Sequence, residues 1–237
     1  MAALRGAAPA AAPDSAQGSA SARLPVAVLI SGRGSNMQAL VAAARDPRYP
    51  AQVALVVSND PKAAGLAAAA AAGIATAVVP HRDFPSRIAF DEALDRTIRA
   101  AGCRLICLAG FMRLLTAGFV EAWRDRMINV HPSLLPSFKG LDTHARALAA
   151  GVKLTGCTVH FVRPAMDEGP IIAQAAVAIR PDDDADRLAA RVLAAEHRLY
   201  PLALRLVAEG RVRIEGERAV VDAPAWPEAA LLAPSAA

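Results

Sequence analysis

At 237 residues the chain can form one domain or two small ones, and its 54% apolar content, much of it alanine, makes a core of small side chains with few aromatics. No apolar run reaches bilayer length, and three cysteines without a CxxC pair argue against disulfides and zinc and for a reducing cytoplasm. The net charge of +4 and pI near 9.3 come from scattered lysines and arginines, which suits small anionic substrates and argues against a nucleic-acid partner.

Residues 1–23 carry ten alanines in their first 22 positions, mixed with Pro, Ser and Gly, and are expected to form a disordered extension. Pro9, Pro13 and Asp14 interrupt the place of a signal-peptide core, and a lone Arg argues against a transit peptide. One ordered domain is expected over 24–222, then a flexible tail at 223–237. Pro25–Ile30 is a continuous apolar run, as in a parallel strand buried on both faces. It feeds Ser31-Gly-Arg-Gly-Ser-Asn36 and a helix with Met37, Leu40, Val41 and Ala44 on one face. Strand, Gly-rich turn and helix aim free N–H groups at an anion. The turn lacks the third Gly of a dinucleotide site and the Lys-Ser/Thr of a P-loop. A tight turn without a ligand is the bland alternative.

The alternation continues: a strand at 53–57, an Ala-rich helix stopping near Gly73, a strand at 75–79, a helix capped by Ser86 with Phe90, Leu94, Ile98 and Ala101 on one face, and a strand at 104–109. Cys103 and Cys107 flank Leu105 and Ile106 and read as small buried hydrophobes. This pattern predicts an α/β fold, a doubly wound, mostly parallel twisted sheet, with ligands outside the carboxyl ends of its strands. The loops after Ile30, Ala109 and Val130 should therefore share a cleft. Arg113, in the second of them, is either a ligand contact or merely solvated.

Met127–Val130 is a short strand running into His131-Pro-Ser-Leu-Leu-Pro136. Asn129 and His131, two apart on an extended segment, project from one face. A neutral donor beside a group that titrates near physiological pH can hold an oxyanion while a proton moves. A histidine that only satisfies a strand end fits the same spacing. Further on, Thr143 can cap a short helix over 144–150, and 155–163 reads as a strand with Cys157, Val159 and Phe161 alternating. The turn 164–170 contains Asp167, which either satisfies its own backbone or orients His131. A strand follows at 171–179. Asp182–Asp184 opens a long helix bearing Glu196 and His197 that Pro201 is expected to kink or restart. A hairpin turns at Gly216.

Four blocks resemble the phosphoribosylglycinamide formyltransferases, folate-dependent enzymes of purine synthesis. They are Ser31-Gly-Arg-Gly-Ser-Asn36; Gly110-Phe-Met-Arg113; Ile128-Asn-Val-His-Pro-Ser-Leu-Leu-Pro136 with Gly140-Leu-Asp-Thr-His144; and Met166-Asp-Glu-Gly-Pro-Ile-Ile172. The third is the most specific, and together they span roughly residues 24–213. The resemblance implies a formyltransferase fold with a Rossmann-like N-terminal half. It makes Asn129, His131 and Asp167 the catalytic trio, and gives Gly34, Ser35, Asn36 and Glu196 to glycinamide ribonucleotide. It gives Arg87, Met112, Arg113, Leu114, Leu115, Asn129, Arg163, Pro164, Ala165, Met166 and Asp167 to the folate. The co-substrate implied is 10-formyltetrahydrofolate, with no metal. The partners expected are small molecules, without nucleic acid or membrane, for a cytoplasmic monomer or weak homodimer.

Three rivals share parts of this pattern. Methionyl-tRNA formyltransferases add a C-terminal domain for which the chain has no room, and formyltetrahydrofolate deformylases add an N-terminal regulatory domain that 22 low-complexity residues cannot supply. A non-catalytic binding protein on the same scaffold would be favoured only if the trio were incomplete.

Overall fold

The computed structural model describes residues 23–223, 225 and 231–234. The expected extension at 1–23 and most of the expected tail thus lie outside the described residues, except that Arg23 is ordered, its Nε donating to the Ala51 carbonyl at 3.1 Å. Five strands run parallel: Leu24–Ile30 (β1), Ala51–Ser58 (β2), Ala75–Val78 (β3), Leu105–Leu108 (β4) and Met127–His131 (β5). Leu154–Phe161 (β6) and Ile171–Ala178 (β7) join antiparallel, giving a seven-stranded sheet in the order β3-β2-β1-β4-β5-β6-β7. The helices are Ser35–Ala44 (α1), Ala64–Ala71 (α2), Arg87–Ala100 (α3), Ala117–Ala122 (α4), Thr143–Ala149 (α5) and Ala185–Ala208 (α6). A hairpin of Val212–Glu215 (β8) and Arg218–Val221 (β9), turning at Gly216, follows α6.

The continuous apolar run in β1 reflects burial on both faces. Val26, Val28 and Ile30 pack with residues of α1, α2 and α6, while Ala27 and Leu29 pack with Phe90, Leu94 and Ile98 of α3 and Phe119 and Val120 of α4. The side-chain period of two in a strand divides them so. The sheet is doubly wound: strand order departs from β1 in one direction through α1 and α2, and in the other through β4 and β5. The reversal between β1 and β4 opens a crevice at their carboxyl ends. All three cysteines are buried, and burial pushes their thiols up, Cys103 to about 11 and Cys107 and Cys157 to about 12. They serve as small apolar side chains.

Local end signals hold where the sequence carries them. Ser86 Oγ accepts from Ala89 N at 3.1 Å, and Asp184 accepts from Arg187 N at 2.8 Å. Four local expectations are corrected. Asp142, left-handed at φ 55 and without a side-chain bond, is the N-cap of α5, and the buried Thr143 is its first residue. Ala101 is the exposed C-cap of α3 and adds nothing to the buried stripe. Residues 155–161 of β6 are all buried, because Cys157, Val159 and Phe161 pack in the core with α6 while Thr158 is covered by the loop after β5. Helix α6 runs through Pro201 without a restart. Leu199, Tyr200, Ala203 and Leu204 bind both halves to the core, and the Tyr200 hydroxyl donates to the Leu108 and Ile128 carbonyls at 3.0 and 3.1 Å.

Candidate active site

The three expected loops meet at the crevice. Ser31 N donates to the Gly110 carbonyl at 3.1 Å, and Met112 N donates to Ser31 Oγ at 2.8 Å, so the first two are stitched together. A cavity of about 560 Å³ opens beside them, walled by Met112, Arg113 and Leu114 after β4, Asn129 and His131 on β5, Gly140 to His144, and Met166 and Asp167. A smaller cavity of about 150 Å³ adjoins it, adding Leu115, His160 and the run Arg163-Pro164-Ala165. Apolar walls with a few convergent polar groups are the usual build of a small-molecule site. Arg113 lines both cavities, and its buried Nε has no hydrogen-bond partner among the described residues. That favours a ligand contact over mere solvation.

Asn129 and His131 leave β5 on the same side, as their spacing requires, and Asp167 reaches them from the loop after β6. His131 is 5% exposed. Its Nδ1 lies 3.4 Å from Asp167 Oδ2 and its Nε2 lies 3.0 Å from the Phe138 carbonyl. Both neighbours are acceptors, so each ring nitrogen of His131 faces an oxygen it can donate to. Asp167 sits at φ 52 and its Oδ2 also accepts from Gly140 N at 2.7 Å, which fixes the carboxylate against the loop that follows β5.

The Asn129 carboxamide is oriented by a residue that no sequence motif marks. His160 faces Asn129 across the β5–β6 pair. Its Nδ1 donates to the Phe161 carbonyl at 2.9 Å, so Nε2 is the acceptor for Asn129 Nδ2 at 3.3 Å. Burial keeps this imidazole below the ordinary histidine range, which preserves the acceptor. One N–H of Asn129 is thereby spent on His160 and the other is left for the cleft. Further along, Thr158 staples the loop: its hydroxyl donates to the Ser133 carbonyl at 2.7 Å and accepts from Leu135 N at 3.0 Å.

At the start of α1, Gly34 takes φ 70 and caps the helix without any side-chain bond. The first N–H groups of a helix then remain available to an anion. Helix α2 packs directly on this turn: Gly65 N donates to the Gly32 carbonyl at 3.0 Å, and a Cβ on Gly65 would stand 2.6 Å from Ile30 Cδ1. On α6, Glu196 is 5% exposed and accepts from Asn36 Nδ2 at 2.6 Å. Burial raises its carboxyl, and the Asn36 bond pulls the other way. Asn36 Oδ1 is buried without a partner among the described residues. Asn36 and Glu196 therefore form a pair held by each other with one carboxamide oxygen left over, while Ser35 faces a neighbouring groove lined by Gln38, Arg45, Ala68 and His197.

A formyl transferase family model matches residues 24–204. The chain belongs to the formyl transferase family. It is 41% identical over 202 residues to the phosphoribosylglycinamide formyltransferase of Escherichia coli, covering 85% of this chain and 95% of that one. It is 49% identical over 189 residues to the human trifunctional purine biosynthetic protein adenosine-3, covering 80% of this chain but only 19% of that protein. The chain thus spans between about a seventh and a fifth of the trifunctional proteins it matches. Glycinamide ribonucleotide transformylase 1 from Symbiobacterium toebii superimposes with a TM-score of 0.82 at 48% identity, over 84% of this chain and 94% of that chain.

Two residues expected at the folate differ from the rest: Arg87 lies elsewhere, and Arg163 lines the smaller cavity with its guanidinium already engaged. Arg87 is the exposed first residue of α3 and lines neither cavity. Arg163 turns its guanidinium away: Nε donates to Glu217 Oε2 at 2.7 Å and Nη2 to Asp125 Oδ1 at 2.8 Å. What Arg163 offers the cleft is its stem and backbone. Sequence reasoning missed His160, Phe138, Thr158 and Gly65. Only the register of β6 on β5 and the packing of α2 could have exposed them.

Proposed function

We propose that this family member transfers the formyl group of 10-formyltetrahydrofolate to the amine of 5′-phosphoribosylglycinamide, giving the N-formyl ribonucleotide and tetrahydrofolate in the cytoplasmic synthesis of purines. The observation that carries the reading is the convergence of Asn129, His131 and Asp167 on the wall of one cleft. The uncapped α1 terminus takes the ribonucleotide phosphate, with Ser35 and Asn36 beside it, and Glu196 accepts from the sugar or glycine part. Met112 to Leu115 and Pro164 to Met166 hold the folate, with Arg113 as the polar contact.

The chemistry follows from the residue types. The amine lone pair attacks the formyl carbon, and the carbonyl electrons move onto oxygen. The free N–H of Asn129 and an N–H of His131 stabilise that oxyanion. Asp167 sustains the imidazolium charge through Nδ1. A proton passes from the attacking nitrogen to the departing folate nitrogen as the C–N bond breaks, which restores a neutral amide on the product. His131 Nε2 is bonded to the Phe138 carbonyl, so donation to the substrate requires exchanging that acceptor for the formyl oxygen.

The test is absorbance-followed loss of 10-formyltetrahydrofolate by the purified protein, with and without the ribonucleotide. Turnover only with the ribonucleotide is expected. Turnover without it would point to a hydrolase, and none in either case to a binding protein. Asp167→Asn should fold and lose nearly all turnover; an active Asp167→Asn would remove the carboxylate from the mechanism.

A further inference from the structure

The loop that carries Pro164 to Asp167 is held from beneath by a charged cluster that joins the turn between α4 and β5 to the C-terminal hairpin. Arg163 begins the loop and is 8% exposed. Its guanidinium is shared between two carboxylates from separate elements, Glu217 at the tip of the β8–β9 hairpin and Asp125 in the left-handed turn between α4 and β5. Arg124 bonds the other oxygen of Glu217 and also reaches Glu121 at 3.1 Å, so the hairpin tip is gripped by two arginines. The stem of Arg163 closes the loop at its other end. A Cβ on Gly169 would lie 3.3 Å from Arg163 Cγ and 1.9 Å from the Phe161 carbonyl, and Phe161 N donates to the Pro170 carbonyl at 2.9 Å. Both feet of the loop therefore rest on one side chain, whose head is anchored to the hairpin.

We propose that Glu217 is a positioning residue for the folate-lining loop: through Arg163 it sets where Pro164, Ala165 and Met166 stand in the cleft. The inference rests on the formyltransferase reading of the site. A mostly buried guanidinium left with one carboxylate re-seeks partners, and because its stem is wedged between the loop's feet, that movement passes into the loop backbone. Glu217 itself lines neither cavity and is largely exposed. Asp167, at the far end of the same loop, is held separately by the Gly140 N–H at 2.7 Å, so loss of Glu217 acts on the Pro164–Met166 part and on ground-state fit at one substrate.

The experiment compares wild type with Glu217→Ala and Glu217→Gln by steady-state kinetics, varying each substrate in turn, with thermal melts to verify folding. For Glu217→Ala, KM for 10-formyltetrahydrofolate should rise about fivefold, a size typical of contacts that act through an intervening residue. KM for the ribonucleotide and kcat should stay within about twofold. Glu217→Gln, which keeps an acceptor for Arg163 Nε, should recover much of the loss. Unchanged folate KM in a folded Glu217→Ala would overturn the proposal, and so would equal rises for both substrates, the mark of general loosening. Failure of the wild type to use either substrate would instead bring down the formyltransferase reading, and this inference with it.

Discussion

His160→Phe tests whether the carboxamide of Asn129 is aimed by its neighbour on β6. Phenylalanine fills much the same buried space, His160 being 2% exposed. It removes the acceptor of Asn129 Nδ2 and the donor to the Phe161 carbonyl. Leaving that carbonyl short of a donor costs about 1–3 kcal/mol of stability. The catalytic effect is bounded from two sides. Removing an oxyanion donor altogether lowers kcat by about 10²- to 10³-fold. Freeing one that remains in place forfeits a neutral hydrogen bond worth about 1 kcal/mol, enough to let the flipped carboxamide, oxygen toward the oxyanion, compete. The expected drop in kcat is therefore about fivefold, well short of deletion, since about 1.4 kcal/mol corresponds to a factor of ten. KM for both substrates should hold. Initial rates by absorbance and melting by calorimetry give both numbers. A kcat within twofold of wild type, in a variant whose melt shows the lost stability, would refute the assignment of His160 as the group that aims Asn129.

Gly65→Ala places a Cβ 2.6 Å from Ile30 Cδ1 and 3.1 Å from the Gly32 carbonyl; it should destabilise by about 1–3 kcal/mol and raise KM for the ribonucleotide selectively, and a normal KM would disconnect α2 from the phosphate turn. Stability should also fall on mild acidification. Burial holds the imidazoles of His144, His160 and His197 below the ordinary histidine range. The unfolded chain takes up these protons near pH 6.5 and the folded one only at lower pH. Their contribution is thus whole above about pH 6.5 and declines as the pH drops below it. Glu196, raised by burial, works in the opposite sense, one carboxyl against three imidazoles. Melts across pH 8 to 5 check the balance, and a midpoint that climbs on acidification would contradict it.

Legibility in the sequence followed the range of the interactions. The β1 run, the α1 stripe, the Ser86 cap and the acidic start of α6 are written in residues that stand close together in the sequence, and they stand where the pattern put them. Asn129 and His131 were legible together because two positions on a strand share a face whatever the strand packs against. Arg163 was harder to read. Its type and its place beside Asp167 suit a ligand contact, but Glu217 stands 54 residues away, and nothing local tells an arginine which carboxylate will claim it.

The order of alternating apolar strands and helices determined by itself that the sheet is wound on both faces and that a site lies at the carboxyl ends of its strands. The identities of Asn129, His131 and Asp167 determined what chemistry such a site could perform. The tertiary structure decided the antiparallel register that sets His160 opposite Asn129, the loop path that brings the Phe138 carbonyl to His131 Nε2, and the anchoring of Arg163 by the hairpin. The physical reason is that hydrogen bonds and ion pairs take whichever partner the packed elements bring within about 3 Å, and that choice is made only once the strands have paired.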